Sequence, residues 1–514
     1  MVSMSHPSRF IFSLMIISLV LLGSFSITSE KQIIENTYQC QKKETLKSFN
    51  MSQNKGETFG EQRTFWVFNP YIDDYQQVTA KLLSVGQYCY IYVDLVTINE
   101  IGETEAIETS NNYSTEFDSV IYPTNLNLVG HPDGFIGDID GDPKITVLIS
   151  PSSYGGVYFF KDDDPTHPYS NNREMVYIHP DLSILRGHNN IIHELNHLIW
   201  FNHEQDEAIF ILEGTAEYSR YKSGYLNNEA YISARIASDH NLTYNALYFK
   251  SHPEASLLYW DYDDLSLNRA SYGRSYMFML YLSERFGEEL LTDLVSITED
   301  GPAGIETAMR NKGLNYTFNE IYLDWITACT IDLVDFADGK YGYRTANFKI
   351  NFLTQISQLP YNSEKNHHKL YGFNVKKLNS PPDEFTIKIT NPKPHALGIS
   401  VVINDENGWN ITQAIHYDTS DEISLYFSGN EINYVYIITS IISINTPYAA
   451  NFVYPGLTAP YKDLAFSILE GHIIYETTEN ANLKSLFTGL FIVFSLYVLR
   501  RIRKNKIFRT YTSS

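Results

Sequence analysis

The sequence predicts an α+β chain with a β-rich N-terminal part, a helical middle, an all-β sandwich-like module and an apolar C-terminal helix. Three observations carry this reading. From about 189 to 335 apolar residues recur with a helical period. From 346 to 475 the pattern changes to short alternating runs, such as 384–390, 398–403 and 434–442, separated by Pro and Asn-Gly turns. Finally, Leu486–Leu499 runs for fourteen residues without a charge and ends on Arg500.

Taken in order, residues 1–26 read as a signal peptide: a lone basic Arg9, the apolar run Phe10–Phe25, and small Ser24 and Ser26 at an A-x-A-like site. Residues 27–65 are polar and aperiodic, an N-terminal extension or a propeptide that would need removal. The domain of 66–345 opens with strand-like Thr64–Phe68 and Tyr88–Val96. A stretch over 98–125 follows that reads as helical and then loop-like, and an acidic turn at 137–142 feeds the β-run Lys144–Ile149. Helices are expected over Asn190–Phe201, Phe210–Tyr221, Arg274–Phe286, Glu288–Thr298 and Phe318–Leu333, punctuated by Gly287, Gly301 and Gly313. The β-module spans 346–475 and a linker 476–483. Residues 484–500 read as a transmembrane helix, short against the roughly 20 residues a span needs but extended by snorkelling of Lys484 and Arg500. The basic tail 501–514 would then lie in the cytoplasm by the positive-inside bias, giving a type I protein at the cell surface. Five sequons, at Asn50, Asn112, Asn241, Asn315 and Asn410, fit an extracytoplasmic chain.

Charge excludes one class of partner. The 514 residues carry 38 Lys and Arg against 60 Asp and Glu, a net −22, and six of the cations fall in the last fifteen positions. The remainder would repel phosphate backbones, so no nucleic-acid partner is expected. Three cysteines and no C-x-x-C exclude a cysteine zinc cluster. Cys40 and Cys89 could pair in an oxidising compartment, whereas Cys329 reads as a buried small hydrophobe.

The chemistry lies in Asn190-Ile-Ile-His193-Glu194-Leu-Asn-His197. On a helix His193 and His197 stand one turn apart on the same face, where their imidazoles can share a metal ion. Glu194, beside that face, can take a proton from a water activated by the metal. The apolar neighbours Ile191, Ile192, Leu195, Leu198 and Ile199 argue against a merely solvated helix face. A zinc site needs a third protein ligand. His203 holds the last position of an H-E-x-x-H-x-x-G-x-x-H pattern, but Trp200 replaces the glycine that the pattern's turn requires. Glu213, sixteen residues after His197 in Phe210-Ile-Leu-Glu213-Gly-Thr-Ala-Glu217-Tyr, is the favoured ligand, with Glu217 one turn further on to hold a ligand histidine. Asp138, Asp140 and Asp142 could bind calcium through carboxylate oxygens, although the loop lacks the full EF-hand spacing and a solvated turn is the alternative.

These motifs, with Tyr272-Gly-Arg-Ser-Tyr276-Met-Phe-Met-Leu-Tyr281 and Asp324-Trp-Ile-Thr-Ala-Cys-Thr-Ile-Asp332, resemble the gluzincin metallopeptidases, most closely the hyicolysin-like secreted proteases, over about residues 60–345. The resemblance implies a gluzincin-type zinc metallopeptidase domain with His193, His197 and Glu213 on zinc and Glu194 as general base and acid. It also implies a tyrosine or histidine donor for the oxyanion, for which Tyr272 and Tyr276 are the candidates. Phe210 stands where the family commonly has Trp. The G-x-M-E-N segment of the clan's aminopeptidases is absent, which favours an endopeptidase acting on protein or peptide substrates. The competing reading is an inactive or latent surface binding protein on such a scaffold.

Overall fold

The computed structural model describes residues 56–471 apart from 135–136, 154, 229–240, 263, 352, 364–365, 391–394, 417–421 and 445–460. It opens with β1 (Gln62–Asn69), β2 (Asp74–Val85) and β3 (Cys89–Asp94), paired antiparallel in that order. The Asp94 carboxylate accepts from the Val96 N–H and starts α1 (Leu95–Ile101), so β3 ends two residues before the expected boundary. Helix α2 (Glu103–Glu116), a π-turn at Phe117–Ile121 and α3 (Tyr122–Val129) continue without a break. The chain then returns through β4 (Ile145–Ile149), β5 (Gly156–Tyr158) and β6 (Met175–Ile178). The sheet order is β1-β2-β3-β4-β6-β5, with β4 parallel to both β3 and β6, and β5 antiparallel on β6.

This sheet corrects the α+β expectation with its β-rich N-terminal part. The fold is mixed α/β, because helices α1–α3 form the crossover between parallel strands. Every residue of β3, β4 and β6 is buried. Helices cover one face, over Ile91, Val147 and Val176, and an aromatic layer containing Phe65, Tyr92 and Tyr177 covers the other. The expected strands Tyr88–Val96 and Lys144–Ile149 correspond to β3 and β4, but their parallel pairing joins segments far apart in the chain, which local pattern does not report.

Seven helices follow: α4 (Ile184–His203), α5 (Ile209–Lys222), α6 (Tyr244–Ser251), α7 (Leu265–Phe286), α8 (Glu289–Leu294), α9 (Gly301–Asn311) and α10 (Phe318–Ile331). Asp264 caps α7 by accepting from the Ser266 and Leu267 N–H groups, which moves its start well ahead of Arg274. A Thr317/Glu320 capping box starts α10.

The remaining strands are β7 (Thr354–Ile356), β8 (Tyr361–Asn362), β9 (Asn366–Lys369), β10 (Phe373–Asn379), β11 (Glu384–Thr390), β12 (His395–Asp405), β13 (Gly408–His416), β14 (Glu422–Ser428), β15 (Tyr434–Ile444) and β16 (Tyr461–Glu470). They form two sheets, β13-β12-β15-β10-β7 and β14-β11-β16-β8, with β9 paired to β16. Helix α10, buried along its length, joins them to the helical part: Thr327 Oγ1 donates to Ser400 Oγ at 2.8 Å and Gln413 Nε2 to Leu323 O at 3.2 Å. One apolar core runs from β3 through α7 and α10 into β10, β12 and β15.

The expected transmembrane helix over 484–500 and signal peptide over 1–26 lie outside the described residues. Among the described residues, no helix is long and apolar enough to cross a membrane. Cys89 is a buried free thiol, and burial pushes its pKa upward. Cys40 lies outside the described residues.

Candidate metal centre

The site is built on α4 and α5. One side of α4 is buried through Ile191, Ile192, Leu195, Leu198, Ile199 and Trp200, which leaves His193 and His197 half-buried on the other. A polar lock fixes how α4 meets its neighbours. Asn125 on α3 donates to the Ile192 carbonyl and accepts from Asn196, both at 3.0 Å. Thr215 on α5 accepts from Trp200 Nε1 at 2.8 Å and donates to Asn196 Oδ1 at 3.1 Å. Beside Glu213, Gly214 lets α5 approach α7: a Cβ there would stand 2.7 Å from Met279 Cγ and 2.9 Å from the Ser275 carbonyl oxygen. Phe210 fills the aromatic position by packing against Phe278 and Phe318.

This packing brings three ligand atoms together. The two histidine Nε2 atoms are 3.1 Å apart, and Glu213 Oε2 lies 3.2 Å from His193 Nε2 and 3.3 Å from His197 Nε2. Tetrahedral zinc with bonds of about 2.05 Å needs its ligands about 3.3 Å apart, so the triangle has the right size for one ion. Glu213 Oε2 is buried, and among the described residues its polar neighbours are the two histidine nitrogens, so a cation at the centre of the triangle would meet all three donors. The group could therefore hold a metal ion.

The surrounding groups orient the triangle. Glu217 Oε1 stands 3.5 Å from His193 Nδ1, leaving Nε2 to face Glu213. Arg220 grips both Glu217 oxygens, at 2.8 and 3.0 Å, and its Nε donates to Asn189 Oδ1 at 3.1 Å. Glu194 Oε2 accepts from the backbone N–H of Tyr158 on β5 at 2.9 Å.

Electrostatics follow from burial and proximity. Burial disfavours the His193 imidazolium, but the Glu213 contact and the charges of Glu194, Glu213 and Glu217 outweigh it and hold the pKa up at about 9. Burial alone would raise Glu213, yet the charge and hydrogen bonds of the two histidines pull it down to about 2. Burial raises Glu194, with the histidine charges opposing it.

The remaining predicted residues fall as follows. Tyr272, on α7, borders the site: burial and then the Glu213 charge push its phenol upward. Tyr276 points elsewhere and donates to the Asn241 carbonyl at 2.6 Å. The His203 ring contacts the His131 carbonyl, away from the triangle. Asp138 and Asp140 converge with Glu174 rather than with Asp142, whose Oδ2 accepts from Tyr90. Arg173 pairs with Asp140 at 3.0 Å. Sequence reasoning overlooked Glu174 and Arg220. Only Arg220 carried a local signal, its i,i+3 spacing from Glu217.

No family model and no curated protein matches the sequence. Likenesses among solved structures are slight. The pre-peptidase C-terminal domain of a Bacillus anthracis collagenase is 12% identical, with 24% of this chain and 99% of that one covered and a TM-score of 0.16. The copper-binding surface protein CorA of Methylomicrobium album is 9% identical over 23% and 98%, with a TM-score of 0.17. Legionella pneumophila aminopeptidase A is 12% identical over 73% of this chain and 36% of that chain, with a TM-score of 0.26. The gluzincin-type α+β fold expectation is corrected to mixed α/β by the sheet in which β4 runs parallel to β3 and β6.

Proposed function

We propose that this chain is a zinc-dependent endopeptidase working outside the cytoplasm. The observation that carries the reading is the triangle of His193 Nε2, His197 Nε2 and Glu213 Oε2, whose sides of 3.1–3.3 Å match tetrahedral zinc and whose carboxylate oxygen is otherwise orphaned. Two nitrogens and one carboxylate suit zinc better than calcium or magnesium, which prefer all-oxygen sets. The apolar run Phe10–Phe25 and the sequons support export.

When bound, zinc supplies a Lewis acid that polarises a carbonyl and acidifies a water molecule. The protein's own residues do the rest. Glu217, pinned by Arg220, keeps His193 Nδ1 protonated so that Nε2 presents its lone pair. Glu194 accepts the proton of the attacking water on a carboxylate oxygen and delivers it to the leaving amide nitrogen. Its hydrogen bond from the Tyr158 backbone fixes one oxygen and leaves the other for that transfer. Raising of its pKa by burial suits a group that must hold the proton between the two steps.

The test is cleavage of casein and a mixed quenched-peptide library by the zinc-loaded full chain beside Glu194→Gln. We expect turnover by the wild type, a loss of about 10²–10⁴-fold in the variant, and equal zinc content in both. Zinc at one equivalent with no turnover by the wild type would favour the binding-protein reading, and equal turnover by both would refute the role of Glu194.

A further inference from the structure

A strand at the end of a sheet presents a row of outward N–H and C=O groups with which another strand can pair, unless it is short, charged or covered. Here β5, β7 and β8 are two or three residues long. On β1, Asn171 Oδ1 accepts from the Trp66 N–H at 2.8 Å and its Nδ2 donates to the Trp66 carbonyl at 2.9 Å, which covers the open side. β14 carries Glu422, paired with Lys388 at 3.4 Å. Strand β13 has none of these protections. It runs for nine residues, Gly408-Trp-Asn-Ile-Thr-Gln-Ala-Ile-His416, with no Lys, Arg, Asp, Glu or Pro. β12 pairs with its whole length on one side, and among the described residues no strand pairs with the other. A β-prone segment of this kind, free of charge and proline, is one that self-associates.

The same strand carries a sequon. Asn410 and Thr412 are its two exposed residues, and their spacing of two puts both side chains on one face. Among the described residues, neither the Asn410 amide nor the Thr412 hydroxyl makes a hydrogen bond. Asn410 stands two residues past the tip of the β12–β13 hairpin, where Asp405 pairs with Gly408. Asn241 shows the opposite state. It is half-buried with φ 74°, and its Nδ2 donates to the Thr345 carbonyl at 2.7 Å. Its sequon partner Thr243 is 1% exposed and caps α6 by accepting from the Ala246 N–H. Amide and hydroxyl are both committed to the fold there.

We propose that Asn410 carries an N-linked glycan and that this glycan is the cover of the β13 edge. This rests on the export contained in the reading above. The donor is an oligosaccharide joined through phosphate to a lipid, used by a membrane oligosaccharyltransferase. Asn410 Nδ2 forms a bond to the anomeric carbon, the bond from that carbon to the phosphate oxygen breaks, the lipid phosphate leaves, and one amide proton is released. A bulky hydrated sugar keeps a second strand away by its volume and so replaces the charge that the edge lacks.

The test uses the full-length chain made in a eukaryotic secretory host, with surface labelling of intact cells to establish where it lies. Release by peptide N-glycosidase in heavy-oxygen water should mark Asn410 and leave Asn241 unmarked. Asn410→Gln and Thr412→Ala should each lose this glycan and, in mild detergent, sediment at higher mass than the wild type. Thr412→Lys loses the glycan as well but places a charge on the edge, and should sediment like the wild type. All three should keep the wild-type Tm, because neither side chain is bonded within the fold. A chain at the cell surface with Asn410 unmarked would overturn the inference while leaving export standing. Thr412→Lys associating as strongly as Thr412→Ala, or no association in any variant, would overturn the covering role. A chain retained in the cytoplasm would remove both readings.

Discussion

Replacing Glu217 by Gln tests whether the carboxylate behind His193 sets metal affinity. Glu217 Oε1 stands 3.5 Å from His193 Nδ1, with 3% of its side chain exposed. At that separation a full charge pair at an effective dielectric of 20 would be worth about 5 kcal/mol. Arg220, with contacts at 2.8 and 3.0 Å on the same carboxylate, neutralises most of that field. What remains is a carboxylate beside Nδ1 that favours the proton there, and losing such a partner costs roughly 10- to 100-fold in metal affinity. Glu217→Gln should therefore bind zinc about 1.4–2.7 kcal/mol more weakly, measured by competition with a chromophoric chelator on the full chain. The variant also removes the charge that Arg220 pairs with, leaving its bond to Asn189. Glu217→Gln/Arg220→Met therefore separates the two effects: stability of the metal-free protein should recover, but zinc affinity should not. Unchanged zinc affinity in the single variant would refute the argument that Glu217 orients His193.

Three further outcomes follow from the same packing. Gly214→Ala drives a methyl into Met279 and the Ser275 carbonyl, which should cost about 1–3 kcal/mol in chemical denaturation and weaken zinc binding by displacing Glu213. Glu207 is buried, accepts from the Gly301 and Ala208 N–H groups, and is raised by burial to about 8. Its protonated form is favoured in the fold, so the stability it contributes is fully present below pH 4.5, falls away as pH rises, and is gone above about 8. Glu207→Gln should flatten that decline and exceed the wild type by a few kcal/mol at pH 9, at most, and a parallel pH profile would refute it. Thr215→Val removes the hydroxyl that joins Trp200 Nε1 to Asn196. It should destabilise by about 1–3 kcal/mol through the buried groups left unpaired, read by thermal unfolding.

The site was more legible in the sequence than the fold was. His193, Glu194 and His197 lie within one helical turn, where spacing alone fixes which side chains share a face. Glu213 and Glu217 were readable for the same reason, once a second helix was placed after the loop. The α+β expectation failed because the parallel pairing of β4 with β3 and β6, with α1–α3 as the crossover, depends on contacts far apart in the chain.

The sequence by itself determined the candidate ligands and the candidate proton acceptor, because those are properties of one helix and the next. Tertiary structure decided that the three ligand atoms close to 3.1–3.3 Å, through the Asn125–Asn196–Thr215 lock and the Gly214 contact. It also decided that Tyr276 is tied to the Asn241 carbonyl. A helix fixes direction over about 5 Å of rise per turn. The distances between helices, and so the site itself, come only from the packing of the whole chain.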